Sequence, residues 1–265
     1  LGIFIIKRYF TAGSGQVSVE LGGVRFALAV CEDIWQQGFD EAPDYADADH
    51  LIVINASPFH IGKYSERERV IRQQAARGDQ GVLYLNLVGG QDELVFDGGS
   101  FVVDAEGEIT HRAAQFEVSE TLVRLDNGVP QTGQIVPVVD SEEQVYRALV
   151  LGVRDYVVKN GFRSVILGLS GGIDSALTLA IAVDALGADS VAVVSMPSRY
   201  TADISNTDAL AQAQALGVAH QTISIEPAFN AFLEMLARPF AGSEPDITEE
   251  NIQARCRGTI LMAVS

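Results

Sequence analysis

Residues 167–180 read "LGLSGGIDSALTLA", and the order of residue types there decides the architecture of the second half of the chain. Upstream, residues 164–169 are a short apolar run that reads as a buried strand. Downstream, residues 176–182 open a strongly apolar helix. The stretch is therefore strand, glycine-rich turn, helix N-terminus. Such a turn gathers unpaired backbone N–H groups and the positive end of a helix dipole at one point, which suits an anion.

Side-chain chemistry sharpens this reading. Gly171 and Gly172 let the main chain approach a phosphate with no Cβ in the way. Ser170 and Ser175 add hydroxyl donors. Asp174 would repel a bare phosphate, so its place in the loop calls for a cation such as Mg2+ between the two. No Gly-Lys-[Ser/Thr] follows and the string is not GxGxxG, so this is neither of the two common nucleotide loops. A tight turn with Ser and Asp capping is the plain alternative. The full string from Gly168 and Leu169 through Ser170, Gly171, Gly172, Ile173, Asp174 and Ser175 favours phosphate binding.

The pattern around the loop is an α/β alternation. A helix over Ser141–Lys159, capped by Ser141, leads into the strand at 164–169. A helix over 173–186, a strand over 190–195, a helix over 203–216 and a strand over 219–225 follow. That βαβ rhythm predicts a doubly wound parallel sheet. Met196 and Pro197 end a strand, which puts Ser198 and Arg199 at the carboxyl edge of the sheet, where Arg199 is placed to hold phosphate.

The first half reads differently. Strands are expected at Val24–Val30, 51–55 and 82–88, with a polar helix over 63–77 between the last two. "ELVFDGGSFVVDAEGEI" (93–109) reads as a hairpin or meander with glycines at its turns. Residues 127–137 are turn-rich and read as a linker. In "VRFALAVCEDIW" an apolar strand delivers Cys31 at its end, directly followed by Glu32 and Asp33. A cysteine at such an elbow is placed as a nucleophile, with the next N–H groups available as an oxyanion hole. The two acidic neighbours raise a thiol's pKa unless a base or cation lies nearby. A buried structural cysteine is the alternative.

Composition sets the bounds. The 265 residues are 48 % hydrophobic and 20 % charged, with a net charge of −17. That is globular, and too acidic for a broad nucleic-acid face. No apolar run reaches the roughly 18 residues of a membrane span, and Leu1–Phe10 lacks a signal-peptide pattern. Cys31 and Cys256 suggest no disulfide framework, so a cytoplasmic protein is expected. The histidines at 50, 60, 111 and 220 show no metal-ligand spacing. Both ends are abrupt, and a fragment of a longer protein is expected.

"SGGIDS" resembles the PP-loop of the ATP pyrophosphatases, which cleave ATP between the α- and β-phosphates and activate a substrate as its adenylate. GMP synthetases, asparagine synthetases, tRNA-modifying enzymes and NAD synthetases share it. "MPSRYTADIS" (196–205) and "ITEENIQARCRGTILMAVS" (247–265) are similar to segments of the NAD synthetases. "VCEDIW", "INASPFHIGKYSERE" and "NLVGGQDELVFDGGS" resemble the nitrilase-type glutamine amidase domain fused to bacterial members of that family.

The resemblance implies a nitrilase-like αββα part over residues 1–126, a linker over 127–139 and the beginning of a PP-loop synthetase domain over 140–265. It implies that Cys31 attacks the side-chain amide of glutamine, forms a thioester and releases ammonia, with the family's partner glutamate and lysine in stretches preceding this chain. Lys7 does not match the lysine's motif. It implies that Ser57 and Lys63 bind glutamine; an ordinary surface lysine at a helix start is the alternative for Lys63. Asn251, on a helix capped by Thr248, would contact deamido-NAD. ATP and Mg2+, the latter on Asp174, would serve the loop, and the partners would be small molecules and further copies of the chain in a homo-oligomer.

Overall fold

The computed structural model describes residues 11, 15–35, 45, 47–242, 244 and 246–265. The segment Leu1–Phe10, with Lys7, lies outside the described residues. Two compact units divide the chain, residues 1–89 with 93–148 and residues 90–92 with 149–265.

The first unit is built on a six-stranded mixed sheet. β1 (Val17–Leu21), β2 (Val24–Val30), β3 (His50–Asn55) and β4 (Gly81–Asn86) lie side by side, followed by β7 (Phe101–Val103) and β8 (Ile109–Arg112). The strands β2, β3 and β4 are parallel, with Val30 level with Ile54 and Asn55 level with Asn86. Their carboxyl ends therefore bring Cys31, the residues after Asn55, and Asn86 to one edge. On one face Leu51, Val53, Val82 and Tyr84 pack against Tyr64, Ile71 and Ala75 of helix α1 (Lys63–Gly78). Each such aliphatic side chain contributes about 1.5–3 kcal/mol by leaving water. The other face carries Ile54 and Leu85, 53 % and 47 % exposed. Apolar residues on both faces are the mark of strands layered between other elements rather than of a sheet with one wet side.

Three expectations shift in detail. The strand expected at 82–88 ends at Asn86, whose amide turns inward to the Gly98 carbonyl, and a separate β5 (Val88–Gln91) begins after it. β5 pairs with β6 (Leu94–Asp97) as a two-stranded ribbon, so the expected meander is two hairpins: β5 with β6, and β7 with β8. Within the expected linker, β9 (Leu125–Asp126) and β10 (Val129–Pro130) form a small antiparallel pair. Beyond it Gly133, Gln134 and Val136 hydrogen-bond to the backbone of Thr110 and Arg112.

The second unit holds a parallel sheet, β11 (Val165–Gly168), β12 (Val191–Ser195) and β13 (Ala219–Thr222), in that order. Helix α2 (Ser141–Lys159) precedes it; α3 (Ile173–Leu186) and α4 (Asp203–Leu216) are the crossovers; α5 (Glu226–Leu236) and α6 (Ile247–Val264) follow. Alternation along the strands splits the core in two. Leu167 and Val193 pack with Leu179, Ala182, Ala209 and Ala213 from α3 and α4. Ile166, Val194 and Met196 pack with Phe229 of α5 and Cys256 of α6. A parallel sheet covered by helices on both faces is the expected α/β architecture. Among the described residues no helix is long and apolar enough to cross a membrane.

Two caps are corrected. Asp140, not Ser141, accepts the Glu143 N–H at 2.9 Å at the start of α2. Asp246, not Thr248, caps α6: its carboxylate accepts the Thr248 N–H at 2.7 Å, and Glu249 reaches back to the Asp246 N–H at 2.8 Å. This reciprocal pair is a capping box shifted by two residues from the threonine that the sequence suggests. Asp246→Ala is accordingly expected to lower the thermal midpoint, while Thr248→Ala leaves it nearly unchanged; differential scanning calorimetry of the two variants checks this.

Candidate active sites

In the first unit, Cys31 opens a 3-10 turn, Cys31–Ile34, directly after β2. Its φ is +42°, a left-handed conformation that a non-glycine residue adopts rarely and at a cost of about 1–3 kcal/mol. Asp33 holds the elbow closed by accepting the Val30 N–H at 2.9 Å. The thiol is half-buried. Burial pushes its pKa up, and Glu32 and Asp33 push the same way. The Ala56 backbone N–H and the Arg67 guanidinium pull it down. The cation that the acidic neighbours call for thus comes from α1.

Ser57 and Lys63 both lie close to this turn in the fold, with different surroundings. Ser57 is 3 % exposed; its N–H donates to Asn86 Oδ1 at 2.9 Å and its Oγ accepts from Arg67 Nε at 3.2 Å. Lys63 begins α1, with Nζ 2.9 Å from Glu66 Oε2 and 3.8 Å from the centre of the Trp35 ring. Trp35 is the residue that ends the Cys31 turn, so Lys63 packs against the nucleophile's own segment. Sequence reading missed Arg67 and Asp97. Their side chains are 1 % and 0 % exposed and form an ion pair of 2.6 Å. Tyr84 is also 1 % exposed, its pKa pushed up to about 12 chiefly by burial, and its hydroxyl finds no hydrogen-bond partner among the described residues.

In the second unit the loop after β11 is closed by its own serines. Ser170 and Ser175 hydroxyls lie 2.9 Å apart, Ser175 Oγ donates to the Gly172 carbonyl at 2.9 Å, and Gly172 N–H donates to Ser170 Oγ at 3.2 Å. Gly171 has φ +79° and rests against the Ser205 backbone of α4. Gly172 precedes α3 in an extended conformation, leaving Ile173, Asp174 and Ser175 as the first turn of that helix. Beside the loop is a pocket of about 400 Å³. Gly168, Leu169 and Ser170 line it, together with Ser195, Met196 and Arg257, which sequence reading did not single out for it. Ser195 Oγ lies 2.9 Å from His220 Nε2, which gives that histidine a structural place. Arg257 donates to the Met196 carbonyl at 3.2 Å, and Gln253 Oε1 accepts from Ser198 Oγ at 2.9 Å, so α6 forms one wall.

Arg199 and Asn251 stand outside the lining of that pocket. The Arg199 guanidinium is engaged by the Glu226 carboxylate at 2.6 Å and by Asn230 Oδ1. Asn251 donates to the Ile247 carbonyl at 3.0 Å and accepts from Arg255, along the exposed side of α6. Among the described residues no group of three or more His, Cys, Asp or Glu side chains is placed to hold a metal. The lone exposed carboxylate of Asp174 in the loop fits Mg2+ of the kind held by one carboxylate and substrate phosphates.

The geometry defines an α/β chain joining a cysteine site on one unit to a phosphate-type loop on another. Residues 3–129 match the carbon-nitrogen hydrolase family and residues 145–265 match the NAD synthase family. A glutamine-dependent NAD(+) synthetase of Xanthomonas campestris is 45 % identical over 99 % of this chain and 49 % of its own length; that of Thermotoga maritima is 41 % identical over 100 % and 52 %. The structure of a glutamine-dependent NAD+ synthetase from Acinetobacter baumannii in complex with adenosine diphosphate superposes with a TM-score of 0.94 at 42 % identity, over 100 % of this chain and 51 % of that one. The chain thus carries a carbon-nitrogen hydrolase segment followed by an NAD synthase segment, and it spans about half the length of the curated relatives it matches.

Proposed function

We propose that the protein of which this chain is part makes NAD from deamido-NAD, ATP and glutamine. The observation that carries this reading is the presence in one chain of a strained, half-buried cysteine at a strand end and a glycine-rich loop whose leading residues, Gly168 to Ser170, line a pocket. In the first unit the Cys31 sulfur attacks the glutamine side-chain amide, giving a thioester and ammonia, and water releases glutamate. Unpaired N–H groups at the start of the Cys31 turn are the donors for the developing oxyanion. Ser57 and Lys63 hold glutamine.

In the second unit the loop from Gly168 to Ser175 holds the ATP phosphates through backbone N–H groups and the Ser170 and Ser175 hydroxyls, with Arg199 as a further cation. Asp174 would hold Mg2+ at the loop, and the ion would supply neutralising charge there. The nicotinate carboxylate of deamido-NAD, whose dinucleotide Asn251 contacts, attacks the α-phosphorus; pyrophosphate leaves and an adenylate forms. Ammonia adds to the activated carbonyl and AMP departs, because a carboxylate resists amination until it carries a leaving group. Residues 1–126 and 140–265 are the amidase and synthetase segments in this reading, joined by residues 127–139. A free catalytic thiol suits a reducing cytoplasm, and the full-length protein works as a homo-oligomer.

The test is NAD formation by the full-length protein with ATP, Mg2+ and deamido-NAD, supplied with glutamine or ammonium. NAD is expected with both nitrogen sources, with one pyrophosphate per NAD. Pyrophosphate release with a different acid and no NAD from deamido-NAD would sink the substrate assignment while leaving the loop's role intact.

A further inference from the structure

Helix α1 carries four arginines at positions 67, 69, 72 and 77, and one of them behaves unlike a surface residue. Arg67 is 1 % exposed and spends its guanidinium on four acceptors. Nη1 donates to Asp97 Oδ1 at 2.6 Å, Nε to Ser57 Oγ at 3.2 Å, and Nη2 to the Ser57 and Pro58 carbonyls at 2.7 and 3.0 Å. Asn86 ties the same turn from β4, accepting the Ser57 N–H and approaching Asp97 with its own amide. Burying such a pair costs several kcal/mol per ion before the mutual attraction is counted. The Ser57–Pro58 turn that Arg67 grips follows β3 at the sheet edge where β2 delivers Cys31, Val30 being level with Ile54.

We propose that Arg67, locked on Asp97, is a positioning residue of the cysteine site: it holds the Ser57–Pro58 turn and sets a fixed positive charge toward the Cys31 sulfur. An arginine has donors and no acceptor, so Ser57 Oγ can only accept from it and keeps its hydrogen for another partner. The Tyr84 hydroxyl lies near enough for Ser57 to lower its pKa yet outside hydrogen-bonding geometry. Two buried hydroxyls, those of Ser57 and Tyr84, thus stand at the turn that Arg67 holds. Among the described residues, the charged and titratable groups that bear on Cys31 are Glu32 and Asp33 from its own turn, Arg67 from α1 and Tyr84 from β4. Arg67 supplies the positive charge in that set.

Glutamine as the substrate rests on the function proposed above; the clamp and the charge do not. The experiment therefore reads Cys31 itself, in the full-length protein, by following its alkylation with iodoacetamide against pH by peptide-resolved mass spectrometry. Removing both partners of a buried pair is often neutral for folding where removing one is not, so the informative variant is R67M/D97N. Its alkylation midpoint is expected to rise, by less than the roughly one to three pH units that an unopposed charge gives, because the Asp97 charge leaves with the arginine. R67K keeps the charge and loses the fork. It is expected to alkylate with the wild-type midpoint while the KM for glutamine rises about tenfold, the loss of one hydrogen bond in a charged site. A wild-type profile in R67M/D97N, or an equal upward shift in R67K, overturns the proposal. A wild-type enzyme that alkylates normally but never uses glutamine sinks the amidase reading instead, with the alkylation profiles still deciding the role of Arg67.

Discussion

Cys31→Ala in the full-length protein is expected to lower glutamine-dependent NAD formation by about three orders of magnitude or more, the scale on which loss of a covalent nucleophile is felt. Ammonium-dependent NAD formation should stay within about twofold of the wild type, because side-chain truncation alters no group of the second site. The residues that line the pocket beside the loop, from Gly168 to Leu261, all belong to the second unit, and Cys31 belongs to the first. Free ammonia bypasses the only step the thiol performs. Steady-state rates with the two nitrogen sources give both numbers from one preparation. Parallel losses would make Cys31 a structural residue and overturn its assignment. A companion variant separates strain from chemistry. Cys31 sits at φ +42°, which alanine tolerates poorly and glycine readily. Cys31→Gly should be equally inactive with glutamine yet at least as stable as Cys31→Ala. A cysteine kept in a strained conformation where glycine would fit better is held there for its sulfur.

What could be read in the sequence was what is local. A strand followed by Ser-Gly-Gly and an apolar helix leaves the chain one simple course, and the structure has it: β11, the serine-closed turn, then α3. Cys31 was legible for the same reason, since an apolar strand running into Glu-Asp marks where burial stops. Arg67 was not. In "KYSERERVIRQQAARG" it is one of four arginines, and its partner Asp97 lies 30 residues away on β6. Its spacing from Tyr64, Ile71 and Ala75 puts it on the buried stripe of α1, but its residue type argues for the surface and nothing local names Asp97 as its partner. Arg257 escaped for a like reason, reaching the pocket from α6, 61 residues beyond the Met196 carbonyl it meets, as did Gln253, which meets Ser198 across 55 residues. The cap of α6 was misplaced by two residues because Thr248 and Asp246 are both good capping types, and backbone course, not residue preference, chose between them. Arg199 shows the opposite limit: its place after β12 was legible, but not the Glu226 and Asn230 that hold its guanidinium.

The two glycines of the loop look alike in sequence and should behave very differently when replaced. Gly171 has φ +79°, and a Cβ there would stand 2.7 Å from the Cα and carbonyl carbon of Ser205, closer still to its carbonyl oxygen. Those are backbone atoms of α4, so no side chain can swing aside. Gly171→Ala must displace the loop, α4, or both, on top of the roughly 1–2 kcal/mol that a left-handed alanine costs. Gly172 has φ −90° and ψ 157°, which any residue adopts, and the nearest atom to its Cβ is Ser170 Oγ at 3.4 Å. Gly171→Ala is therefore expected to cut NAD formation by about two orders of magnitude with either nitrogen source, the scale of a loss caused by a 1 Å misplacement of a reacting group. Glutamine hydrolysis assayed alone should survive in that variant. Gly172→Ala should stay within a few-fold of the wild type. Pyrophosphate release measured on both variants decides the matter. If the two alanines are equally harmful, the loop needs glycine for ligand approach at both positions, and contact with Ser205 is not what singles out Gly171. If only Gly171→Ala fails, packing of the loop on α4 sets the nucleotide site, and α4 becomes part of the catalytic framework although none of its side chains has been assigned a role in the reaction.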